Sequence, residues 1–344
     1  MERKRIAYLD NLRVVATFAV IMIHVAAQNW YSLDVNTVAW QVFNVYDSLF
    51  RWAVPVFVMI SGALMLGADV SLKKLYTVKI PRLLIAFLFW SLVYALIGGG
   101  LKNVLLNVVC GKYHLWFIYL TLGLYTCIPV IRKIVEDQRI TVYFLAVSLV
   151  VAFAMPLCLR ILADFGGEAA QTWAKALKAV YSDLNITVVC GYAVYFVAGH
   201  YLNRTEIDKP LRMVIYGMGI LGTIVTLLLT LRVSVAQGAP VGNYYEYLNL
   251  NIYMQSAAVF VWVKYNTPSG EKFRNLTKKL SAYSFGIYLV HIMILEALDE
   301  RLGVNTLSFN PVLAVPVIAV AVLAVSWVMI AVIRKIPVLK DYII

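Results

Sequence analysis

Ten apolar runs recur along this chain, at about residues 12 to 29, 52 to 68, 82 to 100, 115 to 131, 140 to 162, 186 to 202, 211 to 231, 248 to 263, 283 to 298 and 311 to 333. A bilayer core of about 30 Å is crossed by about 20 residues of helix. Lipid offers no partner to backbone polar groups, so runs of this kind fold as helices. The fold class that follows is an all-α integral membrane protein, a bundle of about ten transmembrane helices. At 62% hydrophobic and 14% charged residues, with a mean hydropathy of +0.79, a soluble fold is excluded. An even number of spans places both termini on one side. The segments on that side hold 21 of the 30 Lys and Arg, which predicts that both termini are cytoplasmic. The net charge of +12 is then a topology signal. No basic domain interleaved with aromatics exists, so nucleic acid is not an expected partner.

Arg3, Lys4 and Arg5 before the first run imitate a secretory signal, but Arg13 and His24 inside it and nine later runs exclude that reading. Residues 1–344 read as one integral domain, with no repeat and no appended soluble domain. Cys110, Cys127, Cys158 and Cys190 form no CxxC pair and lie in or beside apolar runs. Packing is their expected role, rather than zinc or disulfides.

Two ionisable residues in the first run ask for a functional explanation, because each costs a few kcal/mol in hydrocarbon. Arg13 and His24 are eleven residues apart, about 1100° of helix, so they share one face roughly 16 Å apart. With Arg13 at a headgroup boundary, His24 reaches the bilayer midplane. Asp10, three residues before Arg13, is in reach to orient its guanidinium, or to pair with it structurally.

Later runs add further candidates. Trp30, Tyr31, Trp40, Tyr46 and Trp52 are aromatics of the kind that settle at headgroup level, so 30–51 is expected along the interface. In the second run Arg51 precedes Pro55, and the small pair Ser61-Gly62 lets another backbone approach. The basic stretch Lys73, Lys74, Lys79, Arg82 is either topogenic or a polyphosphate grip. Gly98-Gly99-Gly100 lacks the context of a P-loop. His114 and Trp116 open a run at the outer boundary, and His200 is expected at an interface. Tyr244, Tyr245, Glu246 and Tyr247 suit membrane anchoring or sugar binding. Asn249, Asn251, Gln255 and Ser256 demand a polar interior. His291 lies half-way through its run, at a depth comparable to His24, as a site residue or a packing histidine.

In order, these landmarks resemble the acyltransferase 3 family. Tyr8-Leu9-Asp10-Asn11-Leu12-Arg13, ten residues and then His24 is similar to the family's first-helix signature, and Arg51 to Gly62 to its second. His114-Leu115-Trp116-Phe117 and Ser284 to His291, which includes Tyr288, resemble its later landmarks. Lys79-Ile80-Pro81-Arg82 stands where an Arg-x-x-Arg pattern is expected, so one bidentate fork is lost. The resemblance implies a membrane O-acyltransferase of the bacterial cell (inner) membrane, with no metal and no permanently bound cofactor. Its donor substrate is acyl-CoA, commonly acetyl-CoA, and its acceptor a carbohydrate or other hydroxyl facing outward or linked to lipid.

On that resemblance His24 is base or transient acyl carrier, and Arg13, Lys79 and Arg82 hold CoA. Asp10, Arg51, Ser61, His114, Trp116, Tyr288 and His291 support the site or touch substrate. Membrane lipid and a separate extracytoplasmic protein that completes transfer are further expected partners. The rival reading is a transporter or flippase of a small molecule or lipid-linked sugar; it lacks paired discontinuous helices and matched halves.

Overall fold

The computed structural model describes residues 6–67, 71–99, 103–337 and 343–344, and every regular element among them is helical. The basic start Arg3-Lys4-Arg5 and Gly100 lie outside the described residues. Six helices are long and apolar enough to cross a membrane: Ala7–Ala27, Val38–Met65, Leu72–Gly98, Gln138–Phe165, Lys209–Gln237 and Pro311–Ile333. The number rises to eight if each of two bent pairs is one span. These pairs are Val104–Cys110 with Tyr113–Thr126, bent by 42°, and Glu271–Ser281 with Ser284–Leu302, bent by 55°. The expected runs at 186–202 and 248–263 are shorter helices. The first breaks at Gly191 into Thr187–Cys190 and Ala193–Arg204; the second is the 17-residue Leu250–Asn266.

The chain divides into two compact units, residues 1–28, 67–129 and 267–344 in the first, and 29–66 and 130–266 in the second. In the first unit, Ala7–Ala27 packs on Glu271–Ser281, Ser284–Leu302 and Pro311–Ile333. The last of these begins with Pro311, whose missing N–H costs nothing there, and Asn310 accepts a hydrogen bond from the Val312 N–H at 3.0 Å. Phe87, Trp90, Tyr94, Leu115, Ile118, Leu289, Val290 and Ile330 form a buried core that Ile343 and Ile344 complete. Two polar tips tie it together. Trp90 Nε1 donates to the Ile343 carbonyl at 2.9 Å, and the Tyr94 hydroxyl donates to the Leu289 carbonyl at 2.9 Å.

The second unit is organised by a close crossing of Ala53–Met65 with Ala193–Arg204. A Cβ on Gly62 would stand 1.8 Å from the Phe196 carbonyl oxygen, and one on Gly199 would stand 2.0 Å from that of Met59. The backbones touch at both glycines, as small residues at helix crossings permit. Lys209–Gln237 lies along Leu250–Asn266, and the polar residues of the latter face inward: Asn251, Gln255 and Ser256 are all buried, as is Asn249 just before it. The Thr226 hydroxyl accepts from Asn251 Nδ2 at 2.7 Å and Gln255 Nε2 at 2.9 Å, and donates to the Gly222 carbonyl.

Two expectations give way here. The segment 30–51 is helical over Val38–Phe50, and Trp30 and Trp40 are fully buried with ring centroids 5.4 Å apart. Of the five aromatics only Tyr31 is strongly exposed; the indoles of Trp30 and Trp40 pack on each other, and Trp30 on Tyr245. The cysteines also differ from the packing role, since Cys110, Cys127 and Cys158 are exposed and only Cys190 is buried; all four are free.

Candidate active site

The helix Ala7–Ala27 carries Asp10 and Arg13 in its opening turns and His24 in its last. Asp10 is 4% exposed, and its Oδ1 accepts from the Ser281 hydroxyl at 2.7 Å. The same oxygen lies 3.5 Å from Arg13 Nη1. Burial of a carboxylate is tolerated because it is both ion-paired and hydrogen-bonded. The result is a half-exposed guanidinium whose position is set from beneath.

At the other end of the helix, three imidazoles converge. The ring of His24 lies 5.1 Å from that of His291 and 6.5 Å from that of His114, and the latter two are 5.3 Å apart, centroid to centroid. His291 is fully buried, His114 almost so, and His24 half-buried, so His24 is the imidazole open to a substrate. His291 Nδ1 is 2.7 Å from the Tyr288 carbonyl. A carbonyl only accepts, so Nδ1 carries the proton and Nε2 the lone pair. That Nε2 is buried and makes no hydrogen bond among the described residues.

Local structure brings His114 inward. Gly111 ends Val104–Cys110 at φ +67°, a left-handed conformation that suits glycine, and a Cβ there would meet the Phe87 ring at 2.9 Å. The chain then turns through the 3₁₀ segment Tyr113–Leu115. This bend is why His114 joins His24.

Four phenol and ion-pair contacts frame the histidines. Tyr113 packs edge-on to His24 at 5.6 Å, and Tyr94 to His114 at 5.3 Å. Tyr288 lies 5.6 Å from His114, and its hydroxyl donates to the His114 carbonyl at 2.6 Å. Lys112 Nζ pairs with Glu296 Oε1 at 2.7 Å. A cavity of 200 Å³ is bordered by Tyr94, Ala95, Gly98, Asn107, Gly111 and Lys112, beside these rings. Among the described residues no three His, Cys, Asp or Glu are placed to ligate a metal ion.

The remaining expected residues fall elsewhere. Trp116 is 37% exposed against Phe117, whose ring meets Tyr288 at 5.9 Å, so it stands two rings from the imidazoles. Lys79 closes the π-helical turn Leu75–Lys79. Arg82 Nη2 donates to the main-chain oxygen of Ile344. Arg51 and Ser61 belong to the second unit. Arg51 is bound to buried Asp47 at 2.5 Å and lies 4.2 Å from the Tyr245 ring centre, while Ser61 sits beside Gly62 at the helix crossing. His200 is buried.

Sequence reasoning missed Ser281, Tyr94, Tyr113 and Asp47. Asp47 was within reach, four residues before Arg51 on one helix face. Ser281 and Tyr94 carry no local signal, since only tertiary packing brings them to Asp10 and His114.

Comparison with known proteins supplies the identification. No curated protein and no solved structure matches the chain. The family model described as an acyltransferase domain, that of the acyltransferase 3 family, matches residues 6–331 and so takes in both units. The chain therefore belongs to the acyltransferase 3 family and is a multi-pass membrane acyltransferase.

Proposed function

We propose that this protein moves an acyl group, acetyl in the first instance, from cytoplasmic acyl-CoA to a hydroxyl of a carbohydrate that faces outward or is linked to lipid. Its location on this reading is the bacterial inner membrane. The observation that carries the chemistry is the juxtaposition of half-exposed His24 with His291, whose Nε2 lone pair is fixed by the Nδ1 contact to Tyr288. On this reading the shorter helices Ala193–Arg204 and Leu250–Asn266 count as crossings beside the six long helices and the two bent pairs, for ten in all, and the Lys and Arg bias supports cytoplasmic termini.

The reaction divides naturally between the two ends of the first helix. His24 accepts the proton of the acceptor hydroxyl as its oxygen attacks the thioester carbon. The carbon–sulfur bond then breaks, the thiolate leaves as CoA, and the proton passes from His24 to sulfur. In the second form of the same chemistry a His24 ring nitrogen attacks the thioester carbon, the carbon–sulfur bond breaks and the thiolate leaves as CoA with the His24 ring proton; the acceptor oxygen then attacks the acyl-imidazole, and its proton passes by way of His291 to His24 as the carbon–nitrogen bond breaks. The buried lone pair of His291 supports either form by holding a proton in a partnership with His24. Arg13, held by Asp10 and Ser281, offers the donor a cation pre-set for a phosphate oxygen. Lys79 and Arg82 add charge for the remaining phosphates. A separate extracytoplasmic protein is a compatible later partner for the acylated product.

Arg13 gives the sharpest test of donor grip. Losing a hydrogen bond to a charged group costs about 1.5–3 kcal/mol, so Arg13→Gln is expected to raise KM for acetyl-CoA by about ten-fold or more. Its kcat should stay within about two-fold of wild type. Steady-state CoA release in nanodiscs measures both. An unchanged KM removes Arg13 from the donor site.

A further inference from the structure

The second unit holds a cavity of 430 Å³ that acyl transfer does not use. Its wall includes Gln138, Thr141, His200, Tyr201, Arg204 and Thr205, together with the carboxylates of Glu136 and Glu206. The charges in that wall do not cancel. Both Glu136 oxygens accept from Lys133 Nζ at 3.0 Å. Glu206 accepts from the Tyr265 hydroxyl at 3.0 Å and lies 3.7 Å from Lys264 Nζ. Each carboxylate is thus neutralised by a cation outside the cavity wall. The Arg204 guanidinium is left over, with no hydrogen bond or ion pair to the chain among the described residues.

A second observation points the same way. His200 is 5% exposed, lines the same cavity, and its Nδ1 is buried without a hydrogen-bond partner among the described residues. An imidazole nitrogen is not left bare in a protein interior without cost, unless something in the cavity meets it. Tyr201 and Thr205, each with a hydroxyl able to donate, line the same space. An exposed guanidinium without an ion pair, an imidazole, and Tyr201 and Thr205 in the same wall, around a few hundred Å³, suit a ligand with several acceptor oxygens on one centre.

We propose that this cavity is a binding site for a phosphate group, held by the Arg204 guanidinium with His200 in the same wall. Two sources present that chemistry, a free phosphate compound and the headgroup of an anionic phospholipid. The Lys and Arg bias assigns Arg204 to the cytoplasmic side, where both are present. The site stands independently of acyl transfer, and its test does not read activity.

The full chain in phosphatidylcholine nanodiscs would be titrated with inorganic pyrophosphate by calorimetry, and in detergent the adducts of short-chain phosphatidylglycerol would be counted by native mass spectrometry. Wild type is expected to bind one of the two probes, and whichever binds names the source. Arg204→Gln, at an exposed position where folding is not at risk, should weaken that binding by about ten-fold or more. Arg274→Gln, an exposed charge of the first unit, should not change it. Binding of neither probe to wild type overturns the proposal. So does equal binding by Arg204→Gln, or an equal loss in Arg274→Gln, which would mark generic charge attraction.

Discussion

His24→Ala will lower acyl transfer by about 10²–10⁴-fold while acyl-CoA still binds, since a positioned general base contributes about that much. The imidazole at residue 24 is the half-exposed member of the three, within 5.1 Å of His291 and 5.6 Å of Tyr113, centroid to centroid. Its removal takes the proton acceptor from the acceptor hydroxyl and leaves Arg13, Asp10 and Ser281 untouched at the other end of the helix. Donor binding and turnover should therefore separate. A variant that turns over at the wild-type rate would move the chemistry to another group, with His291 the next to replace. A variant that loses donor binding as well would instead mean that the helix itself is disturbed, and a melting temperature would show it.

The second large effect is on folding. Gly62→Leu is expected to abolish recovery of folded protein, and Gly62→Ala to cost about 3 kcal/mol or more. At this crossing the neighbour of a new Cβ is the Phe196 carbonyl oxygen at 1.8 Å, backbone that no rotamer change can move. Gly199 meets the Met59 carbonyl in the reciprocal way. To admit a side chain the two helices must separate, which exposes residues such as Val56, Val58, Val194 and Val197 that are now buried between or beside them. Gly217→Ala provides the control, because a Cβ there meets nothing within 4 Å. Thermal unfolding followed by fluorescence in size-exclusion chromatography distinguishes them: the Gly217 variant should melt with wild type and the Gly62 variant far below it. Equal melting of the two would contradict the tight crossing.

What was legible in the sequence follows from where the information sits. The helix bearing Arg13 and His24 was legible because periodicity and apolar length are local properties, and so was the reach of Asp10 to Arg13. The close approach at Gly62 and the inward polar face of Leu250–Asn266 were legible for a related reason, since a small or polar residue in an apolar run has few alternatives. Interior position was less so. Trp30 and Trp40 have the amphipathic character of interfacial residues, and nothing local says that their neighbours are each other and Tyr245. The meeting of His114 with His24 was not legible, because a linear run hides the 42° bend at Gly111 that brings them together. Ser281 comes to Asp10 from 271 residues away, a pairing that belongs to the packed fold alone.

The account rests most directly on one reaction at the histidines, and the measurement is release of free CoA from radiolabelled acetyl-CoA by purified protein in nanodiscs, with and without a pool of lipid-linked and soluble glycans. The account predicts CoA release that rises with the hydroxyl acceptor, label appearing in the acceptor, and loss of both in His24→Ala. Wild-type protein that binds no acetyl-CoA and releases no CoA with any acceptor present would contradict it.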